Sequence, residues 1–456
     1  MKSSLGRSQL QLRPLIVISG LLLIAALAFI ASQRQLTLVL FLPFAVGMFL
    51  TFLRWPSFGI IVAALAGFIV PYYGFSGLNV TMILVALLLG LWLLDMVVSR
   101  RQIQLASSRT LWPLLSFLAV ATFSFGIGQL PWFTFAVHAP LGAQLGGLAI
   151  FVLSAGTFLL VANQVHDLIW LKAITWAFLA FGVFAIFVAS VLPKFGLATQ
   201  KVIQPVGSLY FIWLVAMAFS QAAFNQDLHP GWRLALAGLV LYTLYDLFYI
   251  RFVDKSGWLP VLICLTAIIG FRSWRAGLAL FPVAALAAFF LSTGVVSSEE
   301  YSVSTRFDAW SIMAQIIKIN PVWGLGFANY YWYTPLFHIR GYAVSFNSHN
   351  NYLDIVAQTG FVGLVFFLLF LWQAGRLGWH LRDQVPQGFA QAYIYGALGG
   401  LAGMVVVGMF GDWVLPFFYN VGLSGFRSSM LGWLFLGGLV SLEQMVMRQK
   451  ITAIEK

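Results

Sequence analysis

Charge is scarce in this chain: only 8% of its 456 residues are Asp, Glu, Lys or Arg, while 61% are hydrophobic. An ordinary soluble domain carries roughly three times that share of charge, so a water-soluble globular fold is excluded. Cysteine is scarcer still. Cys264 stands alone, and no internal disulfide can form. Acidic residues number 13 against 25 Lys and Arg, and no Asp-x-Asp pair occurs. The sequence also lacks His-Glu-x-x-His, Gly-x-Ser-x-Gly and any phosphate-binding glycine loop, which argues against metal-dependent, nucleotide-hydrolysing and serine-nucleophile mechanisms. Glu299-Glu300 is a bare doublet of the kind found in solvated turns. The net charge of +12 does not signal nucleic acid either, because no basic run with interleaved aromatics is present.

What is abundant is long apolar sequence. A window of about 19 residues finds spans near 14–32, 36–53, 58–74, 78–98, 110–129, 143–163, 168–192, 205–224, 231–250, 256–271, 275–294, 351–373, 388–411 and 428–446. Several are short, so about 12–14 transmembrane helices are expected. The fold class is therefore all-α, polytopic and membrane-embedded. The first run comes after Lys2, Arg7 and Arg13 without a convincing small-residue cleavage site, and it reads as a retained helix. The pattern divides the chain into three regions: an N-terminal transmembrane bundle over 1–295, a polar loop over 296–350 with an amphipathic helix near 303–319, and C-terminal transmembrane helices over 351–456. With the N-terminus inside, alternate loops collect Arg54, Arg100, Arg101, Arg109, Lys172, Arg233, Arg272, Arg275, Arg376 and Arg382, and the tail adds Arg448, Lys450 and Lys456. That bias sets the cytoplasmic side and leaves the polar loop outside.

The polar loop is the place for chemistry. Phe307, Trp310, Met313, Ile316 and Ile317 recur at helical spacing, Thr305 with Asp308 resembles a capping box, and Asn320-Pro321 stops the helix. Arg306 then falls in a first turn, on a helix expected to lie at the membrane surface, where a guanidinium can fork onto phosphate oxygens. An exposed arginine on the wet face is an equal reading. The turn Gly324-Leu325-Gly326 needs permissive backbone, and the aromatics after Asn329 suit either sugar stacking or, more often, a bilayer interface. His349 is the sharpest residue. Asn347 or Ser348 can cap a helix beginning near Asn350, which sets His349 at a helix N-terminus where protonation is disfavoured. A neutral imidazole is what a general base near neutral pH requires, although a lone histidine usually only caps or hydrogen-bonds. A second outer cluster is Arg251, Asp254 and Lys255, which can hold a phosphate or simply anchor helix ends.

The strings Arg306-Phe307-Asp308-Ala309-Trp310, then 320–329, then Ser348-His349-Asn350-Asn351-Tyr352-Leu353 and Gly360 resemble the O-antigen ligase and polymerase superfamily. The resemblance covers about 306–368 and reaches Lys255-Ser256-Gly257. There the family has Ser-Arg-Gly, and Gly257 stands in the arginine's place, so Arg251 or Lys255 must substitute if a cation is needed. What the resemblance implies is a GT-C-like glycosyltransferase in the bacterial inner membrane. It would transfer glycan, with inversion and without a metal or other cofactor, from an undecaprenyl-diphosphate carrier to a sugar hydroxyl on the periplasmic side. The partners it implies are that donor, a glycan or lipid-glycan acceptor and membrane lipids. His349 would be the base and Arg306 a catalytic cation. Arg251, Lys255, Arg340 and Asn350 would bind the diphosphate or substrate. Polymerase is slightly favoured over ligase. The competing class is a solute transporter that uses Asp95, Asp246 and Asp412 as an ion path, but no internal repeat or paired interrupted spans support it.

Overall fold

The computed structural model describes residues 46–70, 77–196, 202–204, 206–250, 255–280, 282 and 300–454. The chain divides after Gly59 into two compact units, and the second, from Ile60 onward, contains the polar loop and the helices around it. Helices among the described residues include α1 (Pro56–Ile69, which crosses the division), α2 (Val80–Leu94), α3 (Leu111–Ile127), α4 (Leu141–Gln164), α5 (Leu168–Val191), α6 (Ser208–Phe224), α7 (Pro230–Tyr245), α8 (Lys255–Arg272), α9 (Glu300–Ile317), α10 (Asn329–Tyr333), α11 (Asn351–Leu381), α12 (Phe389–Val407) and α13 (Phe426–Ile454). Among the described residues the only β pairing is one bridge between Ile339 and Tyr342.

Among the described residues, seven helical stretches are long and apolar enough to cross a bilayer, and four shorter apolar helices accompany them. The protein is an all-α multi-pass membrane protein, as its composition requires: in lipid, a helix is the open segment that satisfies its own backbone. Expected spans near 14–32, 36–53 and 275–294 lie wholly or mostly outside the described residues. Each of the others coincides with a helix. The main discrepancy is length: α11 continues to Leu381, past the expected end at 373, because Gln373, Arg376 and His380 carry the same helix beyond its apolar section. From Phe361 to Leu381, at about 1.5 Å per residue, the helix runs for about 31 Å, enough by itself to cross a hydrocarbon core of about 30 Å.

Close packing depends on small residues where helices cross. α12 lies against both α6 and α8. A side chain at Gly399 would strike Ile268, one at Gly400 would strike Trp213, and one at Gly403 would lie 2.6 Å from Ile212 and 3.0 Å from the Pro260 carbonyl. α13 packs on α4, and α11 on α3.

The polar loop is fastened to α11 through backbone. Gly360 breaks that helix with φ 69° and ψ −179°, and the segment 321–326 fits into the break. Leu325 N donates to Ala357 O at 2.8 Å, Gly326 N to Gln358 O at 3.1 Å, and Phe361 N to Pro321 O at 2.8 Å. Ser124 Oγ donates to the Trp323 carbonyl at 2.8 Å, and Asn329 Nδ2 to the Gly128 carbonyl at 2.9 Å, so the same segment is also pinned to the end of α3. The Gly-Leu-Gly string is therefore a structural plug. α9 turns Ala309, Ile312, Met313, Ile316 and Ile317 inward, onto a core shared with Leu325, Tyr330, Tyr333, Val356 and Phe417. Phe307, of the same apolar period, stays 61% exposed on the other side of the helix.

Candidate functional site

The string Ser348 to Tyr352 explains itself residue by residue. The cap of α11 is Asn350, not Asn347 or Ser348: its Oδ1 accepts from Tyr352 N at 2.9 Å and from Leu353 N at 3.3 Å. That contact accounts for Asn350 as a helix cap. Asn351 Oδ1 accepts from Val414 N at 2.8 Å, and its Nδ2 donates to the Leu415 carbonyl at 2.7 Å, which stitches α11 to the loop 408–425. Ser348 Oγ accepts from Asn350 N at 3.0 Å and lies 2.7 Å from Asp354 Oδ1, to which it can donate. Between these anchored neighbours His349 adopts φ 50°, a left-handed conformation. Non-glycine residues adopt it uncommonly, though histidine is enriched there, and such outliers cluster at functional sites.

His349 is half-buried, and no hydrogen bond from another described residue holds its ring. Burial lowers its pKa below the ordinary histidine value, and the Arg306 guanidinium lowers it further. The imidazole is thus biased toward its neutral form, chiefly by desolvation. Arg306 belongs to the second turn of α9, since that helix starts at Glu300 and Thr305 lies inside it. Four residues on, Trp310 Nε1 donates to the Ser348 carbonyl at 2.8 Å. Residues four apart share a helix face, so this bond directs Arg306 toward His349.

Beneath this pair lies a carboxylate that sequence reasoning misses. Asp354 is 1% exposed. Its Oδ1 accepts from Tyr330 Oη at 2.5 Å and faces Ser348 Oγ, while its Oδ2 has no hydrogen-bond partner among the described residues. Burial and the Asp354 charge push the Tyr330 hydroxyl well above its usual pKa, which keeps it a donor. Tyr330 also feels Asp412, a fully buried residue whose carboxylate accepts from Phe417 N at 2.7 Å and from Asn420 Nδ2 at 2.5 Å. Burial raises the Asp412 pKa against the pull of those bonds. An acidic residue in a first helical turn ordinarily just complements the macrodipole, so Asp354 gives little signal in one dimension.

The remaining expected residues divide clearly. Arg340, another left-handed residue, donates from Nε to Asp308 Oδ2 at 2.7 Å, so Asp308 is an ion-pair partner and not a cap. Lys255 opens α8, and Arg251 lies outside the described residues. The aromatics after Asn329 pack on protein: Tyr330 stacks on Phe417 with ring centroids 4.6 Å apart, Tyr331 stacks on Tyr419 at 4.5 Å, and Trp332 Nε1 donates to Tyr419 Oη.

A family model described as O-antigen ligase matches residues 231–368, from α7 through the loop to the middle of α11. That match supports membership of the O-antigen ligase and polymerase superfamily. It supports a glycosyltransferase-type membrane enzyme of polysaccharide biosynthesis, and lipid-linked glycans are the substrates that the family implies. No curated protein matches it significantly. The matched region contains Arg306, His349, Asp354 and Gly360 and ends before Asp412.

The Asp354 contacts yield a first prediction. Replacing Asp354 with Ala strips the buried Tyr330 and Ser348 hydroxyls of their acceptor, at about 1–3 kcal/mol for each group left unsatisfied. The thermal midpoint in detergent should fall by several degrees, and Asp354→Asn, which keeps an acceptor oxygen, should recover much of it. Unchanged melting of Asp354→Ala would show that these contacts contribute nothing.

Proposed function

We propose that this enzyme is an inverting, metal-independent polysaccharide polymerase of the bacterial inner membrane, working on the periplasmic side. It transfers a growing glycan from undecaprenyl diphosphate to a hydroxyl of another lipid-linked sugar unit. The acceptor oxygen attacks the anomeric carbon as the bond from that carbon to the diphosphate oxygen breaks. The acceptor proton passes to His349, and the leaving diphosphate takes the bonding electron pair. Arg306 faces the charge that develops on it, with Arg251 and Lys255 as further cations. Arg340, already paired with Asp308, ranks after them.

One observation carries this reading: a half-buried histidine, biased to neutrality and held in a left-handed turn, has an arginine beside it. A general base needs the first property, and departure of a diphosphate needs the second. The transporter alternative is not favoured. Asp95 is ion-paired to Arg100 at 2.8 Å, and Asp412 is enclosed by its own loop.

The test is the size distribution of lipid-linked and surface glycans in a null strain carrying wild type or His349→Ala. Accumulation of lipid-linked single repeat units is the expected outcome for both the null and the variant. Full-length chains stranded on the carrier would make the enzyme a ligase, and normal glycans in the null strain would overturn both readings.

A further inference from the structure

At the end of α11 remote from His349, three separate segments enclose a cavity of about 780 Å³. Its walls come from the turn that enters α3, the last two turns of α11 with the residues after them, and the end of α13. Each wall supplies one cation: Arg109, Arg376 and Lys450. The walls are cross-tied, since Gln444 Nε2 donates to the Ser107 carbonyl at 2.9 Å and Lys450 Nζ to Gln384 Oε1 at 2.9 Å. One carboxylate is present. Glu443 sits beside Ser108 and Arg109, offsetting that arginine and leaving the charge of Arg376 and Lys450 in surplus. No hydrogen bond or ion pair to another described residue occupies the Arg376 guanidinium. A surplus of positive charge disfavours a metal cation as occupant and favours an anion.

The other half of the lining is apolar. Trp112 and Met447 border the cavity with about half of their surfaces exposed, 49% and 40%. The cavity thus lies where the apolar part of α11 gives way to Gln373, Arg376 and His380, the depth at which headgroups meet acyl chains. A volume of this size falls within the usual range of small-ligand sites. A free inorganic phosphate would use the cations and leave that apolar wall bare, whereas a phospholipid fits both halves.

We propose that this cavity is a binding site for a phospholipid with an anionic headgroup, its phosphate between Arg376 and Lys450 and its acyl chains along Trp112 and Met447. The site lies at the opposite end of the molecule from the glycan chemistry and is independent of the polymerase reading.

The experiment uses the full-length protein in detergent. Retention of added phosphatidylglycerol, phosphatidylcholine and inorganic phosphate is measured by native mass spectrometry and thermal shift. Phosphatidylglycerol should be retained over phosphatidylcholine, and inorganic phosphate should not compete at equal concentration. The triple variant Arg109→Gln, Arg376→Gln, Lys450→Gln should bind phosphatidylglycerol roughly 10- to 100-fold more weakly. Arg101→Gln with Arg275→Gln, which removes two exposed cations elsewhere, should leave retention unchanged. If the triple variant fails to fold, Arg376→Gln alone is read in the same assay. A photoactivatable phosphatidylglycerol should label peptides covering 107–112, 373–384 and 443–450. Equal retention of the two lipids, an unaffected variant or labelling elsewhere would each overturn the proposal, and effective competition by inorganic phosphate would reassign the site to a free anion.

Discussion

His349→Ala should lower glycan transfer by roughly 10²- to 10⁴-fold, the span typical for loss of a positioned general base. His349→Gln, which keeps a polar side chain of similar size, should be nearly as inactive. Both variants should melt close to wild type, because no described residue hydrogen-bonds the ring. The pH profile is a sharper test than the loss of rate. Only neutral imidazole accepts a proton, so the rate must rise with pH through the His349 pKa and then level off. Burial and Arg306 both lower that pKa below the ordinary value of 6.5, so the plateau should be reached at a lower pH than an unperturbed histidine would give. Arg306→Gln removes one of the two causes, and its residual activity should show the rising limb moved to higher pH. The Asp354 carboxylate and Tyr330 hydroxyl beneath Ser348 stay in place in that variant, so the displacement isolates the guanidinium. A full-rate His349→Ala would sink the base assignment. A limb unmoved by Arg306→Gln would mean that the arginine does not act on the histidine.

Much of this architecture is legible in one dimension, for a simple reason. Lipid demands about 20 consecutive apolar residues, and that demand is written locally. The polar loop is visible by contrast, and the helix of Arg306 by its apolar period. What the sequence conceals is pairing across long separations. Asp308 looks like a cap for its own helix because its partner Arg340 is 32 residues away. Tyr330 and Tyr331 look like interface aromatics because Phe417 and Tyr419 lie almost 90 residues on, in a short loop with no pattern of its own. Asp412 looks like a charge stranded near a span, yet its carboxylate is a hub for that loop's backbone N–H groups. The cap of α11 lies two or three residues beyond its expected place for the same reason: Ser348 has the chemistry to cap, but its hydroxyl is engaged by Asp354 and Asn350, and the role passes to Asn350. In each case a local rule gives a sound expectation that a tertiary partner overrides.

Gly360→Ala should be the most damaging small substitution in the loop region, although it touches none of the proposed chemistry. The position combines two demands. Its φ of 69° costs a residue with a Cβ roughly 1–2 kcal/mol, and a built Cβ would strike the Val322 carbonyl, which is backbone and cannot rotate aside. Relief requires segment 321–326 to withdraw, and then the bonds from Leu325 N to Ala357 O and from Gly326 N to Gln358 O go with it. Adding overpacking of about 1–3 kcal/mol gives a total loss of roughly 2–5 kcal/mol. The expected result is a large fall in the detergent melting temperature together with loss of glycan transfer. Gly90→Ala is the matched control: its added methyl meets nothing within 4 Å, so helix propensity alone should make it neutral to slightly stabilising. A further comparison tests whether the two sides of this contact act as one unit. Gly324 has φ 74°, and its Cβ would lie 2.5 Å from the Gln358 carbonyl carbon on the opposite side of the same contact. Gly324→Ala should therefore reproduce the Gly360→Ala defect, and the double variant should fall short of the sum of the two, because one withdrawal of the segment relieves both clashes. Full additivity would mean that the two glycines act separately and that the plug is not a single unit.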